Sequence, residues 1–276
     1  MKAFLFSLYL IAVLVIKSFA LEIPKGTAKV VFYNQKGNPI ISLEDENNDG
    51  RFEKKVIFRK GKPYKVFIDE NYNNIPEKIA VLTENSQVKE LIFDRNEDKR
   101  PDKWQIYQNG RLVKIEEDRN FDGKRDLVSY LDKNGKIQKI LRDDDHDGFF
   151  EIEEVFKGKT REVLLKRPKE PVKEKLIYEE GKLSRRLIDK NGDGSFELEE
   201  HFKEGNKYLL ISRNQKTKVF CFDRRGKPFL AFVDENNDGL FEKKYSYTEK
   251  AWETLKPLIT LKAIVNICQG QAKNEH

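Results

Sequence analysis

Cysteine, methionine, tryptophan and histidine are scarce in this chain: two, one, two and three residues among 276. No CxxC pair is present, since Cys221 and Cys268 are too far apart in sequence to form one. His146, His201 and His276 are scattered and show no zinc-ligand spacing. There is no nucleophile elbow and no glycine-rich phosphate loop, so the chain carries no recognisable catalytic motif. Lys and Arg are interspersed with Asp and Glu, without the one-sign stripe of a nucleic-acid binder. Beyond the N-terminus no apolar run is long enough to span a membrane as a helix. The strands would carry Lys and Glu on their outward face, which argues against a lipid-facing barrel.

The N-terminus reads as an export signal over residues 1–20. Lys2 precedes an apolar run from Ala3 to Ile16, and Ser18 and Ala20 supply small residues before a cleavage point after Ala20. An uncleaved anchor is the alternative. Localisation is therefore expected to be periplasmic, secreted or cell-surface, with no transmembrane span after cleavage. Without Lys2 and Lys17 the formal charge falls from +6 to +4. The mature chain is long enough for a sizeable core. In an oxidising compartment Cys221 and Cys268 either form one disulfide or remain two buried thiols.

The dominant feature is a repeat. The nonapeptide Asp-x-Asn/Asp-x-Asp-Gly-x-x-Glu/Asp starts at Asp45, Asp118, Asp143, Asp189 and Asp234, with weaker copies at Asp69 and Asp94. Successive starts are 24, 25, 24, 25, 46 and 45 residues apart. A fixed period means a repeat architecture. Midway between the acidic loops lie turn signals at residues 36–38, 60–62, 84–86, 109–110, 134–135, 157–159, 180–182, 204–206 and 225–227. All but the third contain glycine. Such turns between β-forming runs mark hairpins. Alternation such as Phe150, Ile152 and Phe156 against Glu151 and Glu153 predicts strands with one buried face.

The fold class is thus all-β: nine hairpins of about 24 residues across residues 21–247, forming a long curled antiparallel meander. It is solenoid-like, with a four- or five-bladed propeller as the alternative. Two acidic loops are eroded, at 166–171 and 212–216; the first reads alternatively as a linker. Residues 248–276 are expected to form a small C-terminal helical cap and tail. A first helix is expected over Thr248–Lys256, ended by Pro257, and a second over Leu258–Cys268. Trp252, Leu255, Leu258 and Ile264 are the residues expected to cover the open end, a docking helix for a partner being the alternative.

Each acidic loop offers oxygen ligands alone, which suits Ca2+ better than zinc or copper. Positions 1, 3, 5 and 9 give side-chain oxygens and position 7 a backbone carbonyl. The candidate metal ligands are Asp45, Asn47, Asp49, Arg51 and Glu53; Asp118, Asn120, Asp122, Lys124 and Asp126; Asp143, Asp145, Asp147, Phe149 and Glu151. The remaining two sets are Asp189, Asn191, Asp193, Ser195 and Glu197, and Asp234, Asn236, Asp238, Leu240 and Glu242. A helix–loop–helix EF-hand needs its acid at position 12, which is Val56, Ser129 and Tyr245 in three copies and Glu154 and Glu200 in the two that match formally. Position 9, by contrast, is acidic in all five. Position 8 points away from the ion and is expected to bury Phe52, Phe150, Phe196 and Phe241. His146, at position 4, is expected to face solvent. The Asp69 loop has fewer charges and the Asp94 loop has Lys99 in the glycine position, so both are expected to be metal-free.

These loops and their strand context resemble the calcium loops of FG-GAP-type repeats in integrin-like propellers. The resemblance implies calcium ligation by the side chains at positions 1, 3, 5 and 9. It does not extend to whole repeats, since the Phe-Gly…Gly-Ala-Pro signature is absent. The functional expectation is an exported, calcium-stabilised repeat scaffold, not an enzyme, that binds a protein or glycan on its sheet surface. The alternatives are a metal-independent envelope-assembly protein and a hydrolase.

Overall fold

The structure, a computed structural model, describes residues 26–271; the expected export signal lies outside them. Two compact units are present, up to Pro101 and from Asp102 onward. The first holds β1 (Lys29–Tyr33), β2 (Pro39–Glu44), β3 (Lys54–Arg59), β4 (Lys62–Ile68), β5 (Lys78–Leu82) and β6 (Val88–Phe93). The second begins with β7 (Lys103–Gln108), β8 (Arg111–Glu117), β9 (Leu127–Leu131), β10 (Ile137–Arg142), β11 (Ile152–Lys157), β12 (Thr160–Leu165) and β13 (Glu174–Glu179). It continues with β14 (Lys182–Ile188), β15 (Leu198–Lys203), β16 (Asn206–Arg213), β17 (Thr217–Phe222), β18 (Pro228–Asp234), β19 (Leu240–Ser246) and β20 (Ala251–Thr260). It ends in helix α1 (Leu261–Gln271).

Within each unit every strand pairs antiparallel with its sequential neighbour. The hairpins are therefore not grouped into separate propeller blades; each unit is a continuous meander. All nine expected hairpins form. The 166–171 segment joins β12 to β13 with Leu165 opposite Glu174, so it is an eroded loop, not a linker. Four turns, among them Asn109-Gly110 and Glu180-Gly181, have positive φ at both central residues, the geometry that matches strand twist. In the five-residue turns at Asn34, Asp132 and Asp223 the first side chain accepts two backbone N–H groups. Those of Asn134 and Lys136, for example, reach Asp132 at 2.8 and 2.9 Å.

Two expectations fail here. Residues 248–256 are not a helix: 247–250 form a tenth turn, and Ala251–Thr260 is β20, paired with β19 from Ser246↔Ala251 to Leu240↔Thr260. Pairing with an exposed neighbouring edge outweighs the helical propensity of a Glu- and Lys-rich run. Of the proposed cap residues, Ile264 is fully buried and Leu255 packs on the core, while Trp252 and Leu258 are 58% and 44% exposed. The second expected helix forms as α1, but Leu258–Thr260 belong to β20 instead, and the helix runs through Gly270 rather than ending there.

Nor do the strands generally bury one face. The buried cluster among the described residues lies at α1: Tyr208, Leu209, Ile211, Val219, Cys221, Phe232, Phe241, Ile264 and Cys268. Away from it, buried apolar residues such as Val56, Ala80, Trp104, Val128, Val163 and Ile177 stand outside that cluster. Elsewhere most strand residues on both faces are half-buried, as in β11 and β14. Long side chains lying across neighbouring strands cover them. Arg125 stacks over Trp104 at 3.9 Å, Arg161 over Tyr178 at 4.1 Å and Arg59 over Tyr64 at 3.9 Å. Cross-strand ion pairs run as ladders. Glu44 sits between Lys29 and Lys54, Glu162 between Lys157 and Lys175, and Glu200 between Arg186 and Lys207. One such pair is worth little alone, but a glutamate held by two cations loses less side-chain entropy per contact.

Candidate metal centres in the acidic loops

The loops follow one hydrogen-bond plan. The position-1 aspartates Asp45, Asp118, Asp143, Asp189 and Asp234 are 1–4% exposed. Each accepts the N–H of its position-6 glycine at 2.7–3.0 Å, from Gly50, Gly123, Gly148, Gly194 and Gly239 in turn. Oδ1 of position 5 accepts the position-7 N–H, as Asp193 does from Ser195 at 2.7 Å. The position-9 acid reaches back to the position-2 N–H: Glu53 to Glu46 at 2.6 Å, Glu197 to Lys190 at 2.7 Å and Glu242 to Glu235 at 2.8 Å. Adjacent loops are stitched together, because the position-1 N–H donates to the position-9 carbonyl of the loop before it. Asp69 thus pairs with Glu53 at 2.8 Å and Asp143 with Asp126 at 2.9 Å.

Two backbone positions make the curl. Position 6 has φ of +89 to +96° at its five glycines. Position 4 is also left-handed, with φ near +60° at Asn48, Tyr72, Glu97, Phe121, His146 and Asn237. Sequence reading missed position 4; its signal was the Asn48, Gly192 and Asn237 of three copies, residues that tolerate this region. The position-4 side chains are not bystanders. Tyr72 donates its hydroxyl to Asp49 Oδ2 of the preceding loop at 2.7 Å and accepts from Asn47 at 2.9 Å. Glu97 accepts from Asn71 at 2.8 Å and Asn73 at 2.5 Å. His146 does not simply face solvent: its Nδ1 lies 3.4 Å from Asp126 Oδ2, within ion-pair range but without hydrogen-bond geometry.

Three loops gather acidic oxygens within 4.8 Å of one another: Asp143, Asp145 and Asp147; Asp189, Asp193 and Glu197; Asp234, Asp238 and Glu242. These groups could hold a metal ion. The Asp45 and Asp118 loops share the hydrogen-bond plan, but no such acidic group is found in them among the described residues. Several buried carboxylate oxygens have no hydrogen-bond partner: Asp143 Oδ1, Glu151 Oε2, Asp234 Oδ1, Glu53 Oε2 and Asp94 Oδ1. Burial pushes the Asp94 carboxyl up. The Tyr72 hydroxyl draws Asp49 down, and the backbone N–H groups of Lys124 and Ser195 do the same for Asp122 and Asp193. Of the position-8 aromatics only Phe241 is fully buried; Phe52, Phe150 and Phe196 are half-buried.

No family model matches this chain, and no curated protein matches it. Among solved structures it is similar to Staphylococcus aureus TarM, a single-site mutant in complex with fondaparinux, alpha-GlcNAc-glycerol and UDP. Identity is 12% and the TM-score 0.16, over 51% of this chain and 21% of that one. It is also similar to a TcdB2-TccC3-Cdc42 assembly at 9% identity and TM-score 0.20, over 79% of this chain and 14% of that one. A Photorhabdus luminescens Tc holotoxin pore gives 10% identity and TM-score 0.19, over 82% and 15%. The chain thus spans about a fifth or less of the length of these structures, and at such scores the likenesses carry no argument about fold or function.

Proposed function

We propose that the protein is an exported, calcium-stabilised β-hairpin scaffold, without catalytic activity of its own, that presents its sheet surface to a protein or glycan partner. The observation that carries the metal reading is the unpartnered, buried oxygen of Asp143 and of Asp234, each in a loop that gathers three acids. A buried carboxylate oxygen with no donor is costly unless a cation meets it. The oxygen-only donor set selects a hard cation, and position 9 supplies the carboxylate that an EF-hand places at position 12. The Asp143, Asp189 and Asp234 loops are the principal sites; the Asp45 loop, with Glu53 Oε2 free, is a further candidate. Affinity is expected in the range of extracellular modules, roughly 0.1–1 mM.

Export is supported by the signal-like residues 1–20 and by the Cys221–Cys268 disulfide, since such bonds persist in oxidising compartments. No helix among the described residues is long and apolar enough to cross a membrane. The second reading, a metal-independent scaffold, draws on the hydrogen bonds by which each loop already holds its curl. Calorimetric calcium titration of chelator-treated protein, paired with melting curves, separates the two. Several binding events and a higher Tm support calcium stabilisation; no heat and no shift at millimolar calcium leave the loops as turns.

A further inference from the structure

Arg119 sits at position 2 of the Asp118 loop, where the Asp45, Asp143 and Asp234 loops carry Glu46, Asp144 and Glu235. In the Asp189 loop the residue is Lys190, which meets Glu197 through its backbone N–H. Arg119 engages its loop differently. Its Nε donates to Asp126 Oδ1 at 2.6 Å while its own backbone N–H donates to Asp126 Oδ2 at 2.7 Å, and Asn120 N–H adds a contact to Oδ2 at 3.3 Å. Its Nη2 reaches Asp144 Oδ1 at 3.1 Å and the Asp143 carbonyl at 3.3 Å in the following loop. Both oxygens of Asp126, a residue 2% exposed, are thus occupied. In the Asp143 loop the corresponding Glu151 keeps Oε2 unpartnered. Asp126 is also one methylene shorter than the glutamate at this position in the other four copies.

We propose that the Arg119 guanidinium is the resident cation of the Asp118 loop: it occupies the charge-neutralising role that calcium has in the neighbouring loops and keeps metal out of this one. The inference rests on the calcium reading of those neighbours. A guanidinium is always charged and grips a carboxylate through a fixed fork of donors, so it supplies permanent neutralisation without dependence on external calcium. By bridging Asp126 to Asp144 it also fixes one loop against the next. Arg119 is in this sense a specificity-determining residue, one that sets which of the loops take metal.

The test is a calorimetric calcium titration of three full-length, chelator-treated proteins: the parent, Arg119→Gln and Asp126→Asn. Arg119→Gln frees Asp126 and is expected to bind one calcium ion more than the parent. Asp126→Asn is expected to bind the same number as the parent, because the Asp118 loop holds no metal to lose. Equal numbers in the parent and Arg119→Gln would overturn the proposal while leaving calcium binding by the other loops intact. Loss of one ion in Asp126→Asn would overturn it independently, whatever the stability of the arginine variant. A parent that binds no calcium overturns the calcium reading and this inference with it.

Discussion

Cys221, next to the last residue of β17, is bonded to Cys268 on α1, and both residues are fully buried. The bond joins positions 47 apart in sequence and holds the helix over the one well-packed core among the described residues. Closing a loop of that length removes unfolded-state entropy equivalent to about 4 kcal/mol. The double substitution Cys221→Ser and Cys268→Ser is therefore expected to lower stability by about 2–5 kcal/mol. Urea denaturation followed by tryptophan fluorescence measures it. An unchanged midpoint would mean that α1 contributes little to the fold.

Acid should weaken the sheet through its paired glutamates. His201 and Arg213 hold the Glu199 carboxyl at about 2, below its ordinary 4.5. Burial alone would raise Glu44, but Lys29, Lys54 and Ser42 outweigh it and bring it to about 2 as well. A depressed folded-state value means that the unfolded chain binds more protons between the two values. The stabilisation is therefore fully present above pH 4.5 and is lost as pH falls toward 2. Glu199→Gln should reduce the stability at neutral pH and flatten the decline between pH 4.5 and 2. Denaturation midpoints across that range check it; an equally steep decline in the variant would assign the acid sensitivity elsewhere.

The hairpins were legible because turn chemistry is local. Asn109-Gly110 or Lys60-Gly61 needs no knowledge of the rest of the chain to specify a tight reversal. The acidic clusters were legible for the same reason, since Asp189 and Glu197 come together across a nine-residue curl. What failed depended on neighbours distant in sequence. Ala251–Thr260 became a strand because β19 offered it an edge, and Trp252 stayed exposed because α1 packs on β16 and β17 as well as β20. Alternation along β11 correctly marked a strand, but it could not say what would lie on either face. The loop-to-loop contacts of Tyr72, Glu97 and His146 were invisible, because they depend on register between repeats.

The curl of the loops predicts opposite outcomes for two glycines. Gly194 has φ +90°, and a Cβ there would meet no atom within 4 Å, so any cost of Gly194→Ala is conformational. Holding an L-residue in that region costs about 1–3 kcal/mol. Gly270 lies within α1, with no positive φ and equally open surroundings. Gly270→Ala should stabilise by up to about 1 kcal/mol, because alanine loses less backbone entropy in a helix. Melting curves of both variants in the presence of a chelator decide the matter. A neutral Gly194→Ala would show that the loop relaxes out of its left-handed turn.

Asp234→Asn separates a metal ligand from a turn residue most sharply. Asp234 Oδ2 accepts the Gly239 N–H at 2.9 Å, and the amide oxygen of an asparagine can keep that bond. Oδ1 is buried without a partner, and the Asp238 and Glu242 carboxylates lie within 4.8 Å. Removing the charge relieves repulsion among three acids, so the metal-free protein should melt at an unchanged or higher temperature. The same change removes a ligand that a cation requires. At free calcium tenfold above Kd, one site contributes about 1.4 kcal/mol of stability, and the variant should lose that increment. The expected signature is therefore a crossing: Asp234→Asn is at least as stable as the parent in chelator and less stable in millimolar calcium. A variant that is weaker in chelator, with its calcium response intact, would instead make Asp234 a turn-forming residue whose charge has no ion to meet.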